Sequence, residues 1–133
     1  MVDWIGRDAE LQRLRIGLFG ASTGAAAALM AAAERADVVH AVVSRGGRTD
    51  LAGAALACVK APTLQIVGEQ DPVVINLNVQ SSHALHCEKC LEVVPGATHL
   101  FEETGALEAV ARLAGDWFER YLQGSRPTST TTV

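Results

Sequence analysis

Residues 14–30 read LRIGLFGASTGAAAALM, and this stretch decides the fold. It begins as an apolar strand, passes through Gly-Ala-Ser-Thr-Gly and continues as a helix, since alanine is the best helix former. Gly20 and Gly24 would let strand and helix approach closely, because neither carries a Cβ atom. Ser22 would then lie on a sharp turn with its hydroxyl exposed, as a nucleophile requires. The alternative is a structural glycine turn in which Ser22 only caps the helix.

Two further polar residues follow predicted strands. Asp71 comes after the strand at 63–67, and His99 comes after the strand at 91–94. Because the carboxyl ends of parallel strands meet at one edge of a sheet, we expect Ser22, Asp71 and His99 to converge there. The chain order serine, aspartate, histidine is the order used by α/β-hydrolases. The sequence therefore predicts a catalytic triad.

The chain resembles the C-terminal half of an α/β-hydrolase, closest to the dienelactone-hydrolase-like branch. The resemblance covers nearly all of residues 14–122. The matching motifs are GASTG at 20–24, VVSRGGRTDL at 42–51, APTLQIVGEQDP at 61–72 and PGATHLFEE at 95–103. The resemblance implies a serine hydrolase that forms an acyl-enzyme and needs no cofactor. It also implies that the family's first four strands are absent from this chain.

The resemblance also assigns roles to individual residues. Ser22 would be the nucleophile, His99 the general base and acid, and Asp71 the carboxylate that orients His99. The backbone N–H of Thr23 would be one oxyanion donor. The family's second donor follows its third strand, which this chain lacks, so the source of a second donor stays open.

Several other polar residues lie near the predicted site. Arg45 and Arg48 follow the predicted strand at 38–43, and either would suit a substrate carboxylate; the plainer alternative is a solvated loop. His40, inside that strand, is interpreted as structural. Without any segment that resembles a lipid-binding lid, we expect a small ester with a short acyl chain as the substrate.

The pattern of elements predicts an α/β fold. About four parallel strands would lie side by side in chain order, at 14–19, 38–43, 63–67 and 91–94. Predicted helices alternate with them, at 3–13, 23–36, 51–58, 74–86 and 105–122. Because the crossovers between parallel strands are right-handed, the connecting helices would cover one face of the sheet. Only the final helix would remain for the other face, which gives a truncated three-layer fold.

Such a sheet would leave two surfaces uncovered. The strand at 14–19 would have an open edge, and one helix is too narrow to cover a whole face. We therefore expect a homodimer, joined through this strand or through the uncovered face of the sheet. Residues 1–122 are predicted to form one minimal domain. Residues 123–133, polar and low in complexity, are predicted to be a disordered tail.

Composition excludes several classes of partner. The chain has 133 residues, of which 49% are hydrophobic and 20% charged, as expected for one globular domain. Its formal net charge of −4 offers no basic footprint, so we expect no nucleic-acid partner. No apolar run approaches the length of a membrane span, so no membrane partner is expected. The N-terminal residues do not resemble a secretory signal, and the expected location is cytoplasmic.

The cysteines suggest no metal site. Cys58 lies in an apolar helix and is predicted to be a core residue. The segment His83-Ala-Leu-His86-Cys87-Glu-Lys-Cys90 contains four potential zinc ligands. Structural zinc sites usually take their ligand pairs from separated segments, so we predict no metal here.

Three hypotheses for the function stay open. The first is a compact carboxylic-ester hydrolase, and the complete triad favours it. The second is a non-catalytic binding or oligomerisation module that keeps the hydrolase frame. The third is a fragment of a longer hydrolase.

Overall fold

Parallel strands form one sheet in the computed structural model, which describes residues 15–122 and 128–132. In chain order the strands are β1 (Arg15–Ala21), β2 (Val39–Arg45), β3 (Thr63–Gly68), β4 (Lys89–Val94) and β5 (Thr128–Thr132). Their order across the sheet is β4-β3-β2-β1-β5, and every neighbouring pair is parallel. The four predicted strands are therefore confirmed, and they lie side by side in chain order.

The helices form two layers around this sheet. They are α1 (Thr23–Glu34), a 3-10 segment (Thr49–Cys58), α2 (Pro72–Ala84) and α3 (Ala106–Leu122). The buried core on one face joins strand residues to α1 and the 3-10 segment, and the core on the other face joins them to α3. This is the arrangement that right-handed crossovers predict. Within the described ranges, no helix is both long and apolar enough to span a bilayer.

Helix α3 covers its face of the sheet through one apolar stripe. Val110, Ala114 and Trp117 are buried and lie at the spacing of three and four residues expected for one side of a helix. The Trp117 indole N–H donates a hydrogen bond of 3.1 Å to the carbonyl of Pro62, just before β3. This bond satisfies the polar end of a large core side chain and fixes the position of α3 along the sheet.

The junction of β1 and α1 depends on the absence of one side chain. A Cβ atom on Gly20 would lie 2.5 Å from the carbonyl oxygen of Gly24 and 2.7 Å from Cα of Ala25. Helix α1 therefore contacts the backbone of β1 directly. Its small residues, including Ala25 and Ala28, are fully buried against the sheet. The close contact explains why the sequence is rich in glycine and alanine here.

The C-terminal segment differs from the prediction. Residues 123–133 were expected to be disordered, but Thr128–Thr132 form β5 and pair with β1 from Arg15 to Phe19. The open edge of β1 offers unpaired backbone groups, and β-branched threonine favours strand geometry. The edge proposed for dimerisation along 14–19 is therefore occupied by this chain itself. The predicted helix at 3–13 and residues 123–127 lie outside the described residues.

The predicted bare face of the sheet is largely absent from the described strands. Helix α3 contacts β1, β2, β3 and β4. Among the large apolar side chains of these four strands, Val93 on the edge strand is the exposed one, at 43%. The two surfaces from which self-association was argued are thus mostly covered in these ranges, and a homodimer stays a prediction.

The segment after β2 also differs from the prediction. A helix was expected at 51–58, whereas the structure has a 3-10 segment from Thr49 to Cys58, interrupted at Gly53 with φ of 54°. Cys58 ends this segment and is exposed, so the prediction of a core cysteine is wrong. The break at Gly53 changes the direction in which the following residues point, which a continuous helix pattern could not anticipate.

The contact at Gly20 gives a test of the fold. Gly20→Ala should lower the free energy of unfolding by about 1–3 kcal/mol, because the added Cβ forces α1 away from β1. Gly115→Ala, within α3, is the matched control: nothing lies within 4 Å of its added Cβ, and alanine should raise stability by up to about 1 kcal/mol. Urea unfolding measures both. Equal effects of the two substitutions would contradict the close contact.

The pairing of β5 gives a second test. A chain ending at Leu122 loses β5 and leaves the edge of β1 unpaired. We expect this truncated chain to self-associate more strongly than the full chain in size-exclusion chromatography with light scattering. Identical concentration-dependent masses for the two chains would show that β5 does not protect this edge.

Candidate active site

Ser22 lies on a strained turn between β1 and α1. Its φ of 51° and ψ of −123° are unusual for a residue with a side chain. The turn is held by backbone hydrogen bonds: the N–H of Ser22 donates to Arg45 at 3.4 Å, and its carbonyl accepts from Ala25 at 3.2 Å and from Arg48 at 2.9 Å. The strained conformation is thus stabilised by the end of β2 and by the loop that follows it. Thr23, the next residue, is the first of α1.

Asp71 lies between β3 and α2. It occupies the N-cap position of α2, and Pro72 begins the helix, as its fixed φ allows. The carboxylate makes no capping hydrogen bond to the helix. It accepts instead a hydrogen bond from Nδ1 of His99 at 2.8 Å, with its side chain only 16% exposed. The carboxylate is therefore oriented toward the histidine.

His99 lies in the loop after β4. Contacts of neighbouring residues in the same loop fix its conformation. Phe101 is fully buried and adopts a positive φ of 56°, so it anchors the end of this loop in the core. Glu103 accepts hydrogen bonds from the N–H of Thr98 at 3.0 Å and from its hydroxyl at 2.8 Å. The Thr98 N–H, as the largest cause, lowers the pKa of Glu103 below its ordinary value. These contacts fix the backbone on both sides of His99.

A glycine in the turn after β2 lies close to the imidazole of His99. A Cβ atom on Gly46, in the turn after β2, would lie 3.3 Å from Nδ1 of His99 and 3.4 Å from its Cε1. Gly46 has φ of 54°, and its N–H donates to the carbonyl of Ile66 at 2.7 Å. The ring therefore lies close to a turn that is fixed by a hydrogen bond to β3.

The three predicted residues meet at one edge of the sheet. The hydroxyl oxygen of Ser22 lies 3.1 Å from Nε2 of His99, and Nδ1 of His99 lies 2.8 Å from Oδ2 of Asp71. These residues are 77 and 28 positions apart in the chain, so only the fold brings them together. The two distances are within the range for proton transfer between a hydroxyl, an imidazole and an orienting carboxylate.

The two arginines near the site are in different environments. Arg48 forms two hydrogen bonds to Asp50, at 3.0 and 2.9 Å, and this contact lowers the pKa of the Asp50 carboxyl. The guanidinium of Arg45 lies 5.6 Å from the ring centre of Phe101. Its Nε is buried and has no hydrogen-bond partner among the described residues. Of the two, Arg45 is the one whose polar group is not already paired with a carboxylate.

Other residues singled out in the sequence lie away from this edge. His40, near the start of β2, has its Nδ1 2.9 Å from the carbonyl of Val38, which fits the structural role expected of it. Burial raises the pKa of the Cys87 thiol. Across the described parts of the chain, no three histidine, cysteine or carboxylate side chains converge on a point where a metal ion would bind.

Two structural features near His99 have no clear signal in the sequence. The contact with Gly46 and the hydrogen bonds between Thr98 and Glu103 were not predicted. The Gly46-Gly47 pair directly after a strand signalled a tight turn, but not which side chain would lie against it. Glu103 precedes the last helix, which begins at Ala106.

A parallel sheet with a serine on a strained strand–helix turn, and with a histidine and an aspartate following neighbouring strands, defines the class of α/β-hydrolases. The chain belongs within that class to the dienelactone hydrolase family, whose model matches residues 1–124.

Solved structures agree with this assignment. A dienelactone hydrolase from Anabaena variabilis is 56% identical, with a TM-score of 0.86; the match covers 92% of this chain and 56% of that one. A predicted CIB-like hydrolase from Thermoplasma acidophilum is 21% identical, with a TM-score of 0.70, over 90% of this chain and 58% of that one. The second likeness shows the fold alone. The chain thus spans little more than half of each of these structures.

Curated relatives carry a different name. Two proteins of Mycobacterium tuberculosis, from strains CDC 1551 and H37Rv, are 57% identical over 126 residues and are each named "Putative phosphoribosyl transferase". The match covers 94% of this chain but only 28% of each relative. The chain therefore corresponds to about a quarter of those proteins.

The hydrogen bonds of Glu103 predict a dependence on pH. Its folded pKa is lowered, so its contribution to stability is complete above the ordinary value of 4.5 and is lost as the pH falls through the folded value. We expect Glu103→Gln to reduce the loss of unfolding free energy between about pH 5 and pH 3. Glu102→Gln is the matched control, since Glu102 makes no such bonds to Thr98. Urea unfolding at several pH values measures the slopes, and parallel slopes for wild type and Glu103→Gln would contradict this role.

Proposed function

We propose that this chain is a serine esterase that cleaves small carboxylic esters through an acyl-enzyme. One observation carries the proposal: the imidazole of His99 lies within hydrogen-bonding distance of both the Ser22 hydroxyl, at 3.1 Å, and the Asp71 carboxylate, at 2.8 Å. Membership of a hydrolase family supports the same reaction type. A site without catalytic function would not need to keep all three groups within hydrogen-bonding distance.

Acylation begins at the serine. The Ser22 oxygen attacks the ester carbonyl carbon while its proton passes to Nε2 of His99. Asp71 accepts a hydrogen bond from the Nδ1–H of His99. This bond fixes the tautomer of His99 and stabilises the imidazolium that forms. His99 then donates its new proton to the departing alcohol oxygen as the carbon–oxygen bond breaks. The product of this half-reaction is an ester between the acyl group and Ser22.

Deacylation uses the same residues with water as the nucleophile. His99 takes a proton from water, hydroxide adds to the acyl carbon, and the proton then returns to the Ser22 oxygen as the carboxylic acid leaves. The side chain of His99 is 39% exposed, so its imidazole is accessible to water. The site therefore needs no large movement to admit the second substrate.

The oxyanion of each tetrahedral intermediate requires hydrogen-bond donors. Thr23 is the first residue of α1, and the N–H groups of the first turn have no partners within the helix. The N–H of Ser22 itself is used by the carbonyl of Arg45. Thr23 is therefore the proposed donor at the helix N-terminus. A site that relies on one donor is expected to be slower by about 10²–10³-fold than one with two.

The surroundings of the three residues favour a small substrate with an apolar part. Val73 and Leu100 follow Asp71 and His99 closely in the chain and are 69% and 59% exposed. Exposed apolar side chains this close in the chain to two of the reacting residues favour a substrate with an acyl or alkyl group. Arg45, whose buried Nε has no hydrogen-bond partner among the described residues, is proposed as the partner for a substrate carboxylate in preference to Arg48, which already pairs with Asp50.

The name of the Mycobacterium tuberculosis relatives suggests phosphoribosyl transfer. The chain covers only 28% of those proteins, so their name describes a much longer polypeptide. The family model and the geometry around Ser22 both lie within the matched part and favour hydrolysis there. Hydrolysis is therefore the function proposed for this chain.

Ester hydrolysis tests the proposal directly. The purified protein should hydrolyse p-nitrophenyl acetate and butyrate. Ser22→Ala should lower kcat by at least about 10³-fold, and Asp71→Asn by about 10²–10⁴-fold, because the nucleophile and the tautomer of His99 are lost. Ser82→Ala, on α2 and away from the site, should leave kcat unchanged. Initial rates at several substrate concentrations separate kcat from KM.

Two results would decide against this function. Turnover that survives Ser22→Ala would dismiss Ser22 as the nucleophile. A folded wild-type protein without turnover, and without covalent labelling of Ser22 by a fluorophosphonate, would favour a non-catalytic module. Labelling is read by mass spectrometry of the Ser22 peptide, so it distinguishes a reactive serine from a poor choice of ester.

A further inference from the structure

We propose that Asn78 is a positioning residue of this site, which ties α2 to the turn that supports His99. The inference rests on the proposed function for its kinetic consequence, but its structural basis is independent. No motif in the sequence pointed to Asn78, and it lies two helical turns from the reacting groups.

Asn78 joins α2 to the turn after β2. Its side chain is fully buried, and its Nδ2 donates hydrogen bonds of 2.8 Å to the carbonyl of Gly47 and of 2.8 Å to the carbonyl of Val74. An amide nitrogen carries two hydrogens, so both are used. Because both partners are acceptors, the amide has only one satisfactory orientation. The bond to Gly47 thus joins two segments 31 positions apart.

The turn to which Asn78 is hydrogen-bonded is also the turn that lies close to His99. Gly46 precedes Gly47 and lies close to the imidazole, since a Cβ added to Gly46 would lie 3.3 Å from its Nδ1. A displacement of Gly47 would therefore move the surface beneath His99. The ring atom nearest this turn is Nδ1, which donates the hydrogen bond to Asp71.

Asp71 lies at the N-cap of α2, and Asn78 lies within that helix. They are seven residues apart, which is close to two turns of an α-helix. Asp71 at the N-cap binds His99, and Asn78 binds the turn under His99. The contacts close a ring through α2, Asp71, His99, the Gly46-Gly47 turn and Asn78. In this ring the angle of α2 and the position of the imidazole cannot change independently.

The buried amide is only partly satisfied. Oδ1 of Asn78 is buried without a hydrogen-bond partner among the described residues, and an unpaired buried acceptor is destabilising. An apolar side chain would avoid that cost but would give up the bond to Gly47. The structure keeps the bond that fixes the turn, which is what a positioning role requires.

Kinetics of Asn78→Leu test the inference. We expect kcat for p-nitrophenyl acetate to fall by about 10–100-fold, with KM changed by less than about threefold, because misplacement of His99 affects the chemical step. The matched control is Ser81→Ala. Ser81 is on the same helix, is 2% exposed and accepts a hydrogen bond of 2.8 Å from the Thr49 hydroxyl, but does not bind the Gly46-Gly47 turn. Its kcat and KM should stay within about threefold of wild type.

A second measurement does not require activity. The Nδ1–H of His99, hydrogen-bonded to Asp71, gives a proton resonance in nuclear magnetic resonance spectra of protein with labelled histidine. We expect this resonance to shift or to be lost by exchange with water in Asn78→Leu, and to be unchanged in Ser81→Ala. If wild type shows no turnover that depends on Ser22, the proposed function fails, and this resonance still decides the role of Asn78.

Two outcomes would overturn the role proposed for Asn78. Asn78→Leu with lowered stability but wild-type kcat and an unchanged His99 resonance would assign Asn78 to the fold alone. If Asn78→Leu does not fold, Asn78→Ala removes the same hydrogen bonds without adding volume, and the same expectations apply. Failure of both variants to fold would also count against a positioning role.

Discussion

The contact between the backbone of β1 and the first turn of α1 is the constraint on which the site depends. With no side chain on Gly20, the helix lies against the strand, and the chain must turn within one residue, Ser22. That residue adopts φ of 51°, a strained value that persists because Arg45 and Arg48 hold it by backbone hydrogen bonds. The strain places the hydroxyl outside the sheet, and the end of β2 both stabilises the turn and leads into the surface under His99.

The site is assembled from turns, yet each turn is fixed by buried structure. Phe101 anchors the loop of His99 in the core, Glu103 fixes the backbone at Thr98, and Asn78 fixes the turn at Gly47. Reacting groups on short loops at the end of a rigid sheet need few further contacts to stay within bonding distance. Val73 and Leu100, which closely follow Asp71 and His99 in the chain, have exposed apolar side chains.

Sequence patterns predicted the parts of the structure that local chemistry determines. Strand order, the two helical layers and the convergence of Ser22, Asp71 and His99 followed from apolar runs, the glycine turn and right-handed crossovers. Contacts between distant segments did not follow. The bond from Asn78 to Gly47 depends on the angle of a helix, and the exposure of Cys58 depends on a break at Gly53. β5 was missed because its threonine-rich sequence is typical of a tail, and only the open edge of β1 makes a strand of it.

The position of β5 bears on how the molecule folds. Its pairing with β1 joins Arg15 to Thr128, the widest sequence separation between neighbouring strands of this sheet. Pairings of such long range form late, since the entropy of closing a large loop must be overcome first. The other four strands are connected through nearer neighbours and can assemble before this pairing. The edge of β1 is therefore expected to be unpaired early in folding, and the yield of refolded protein should fall as its concentration rises.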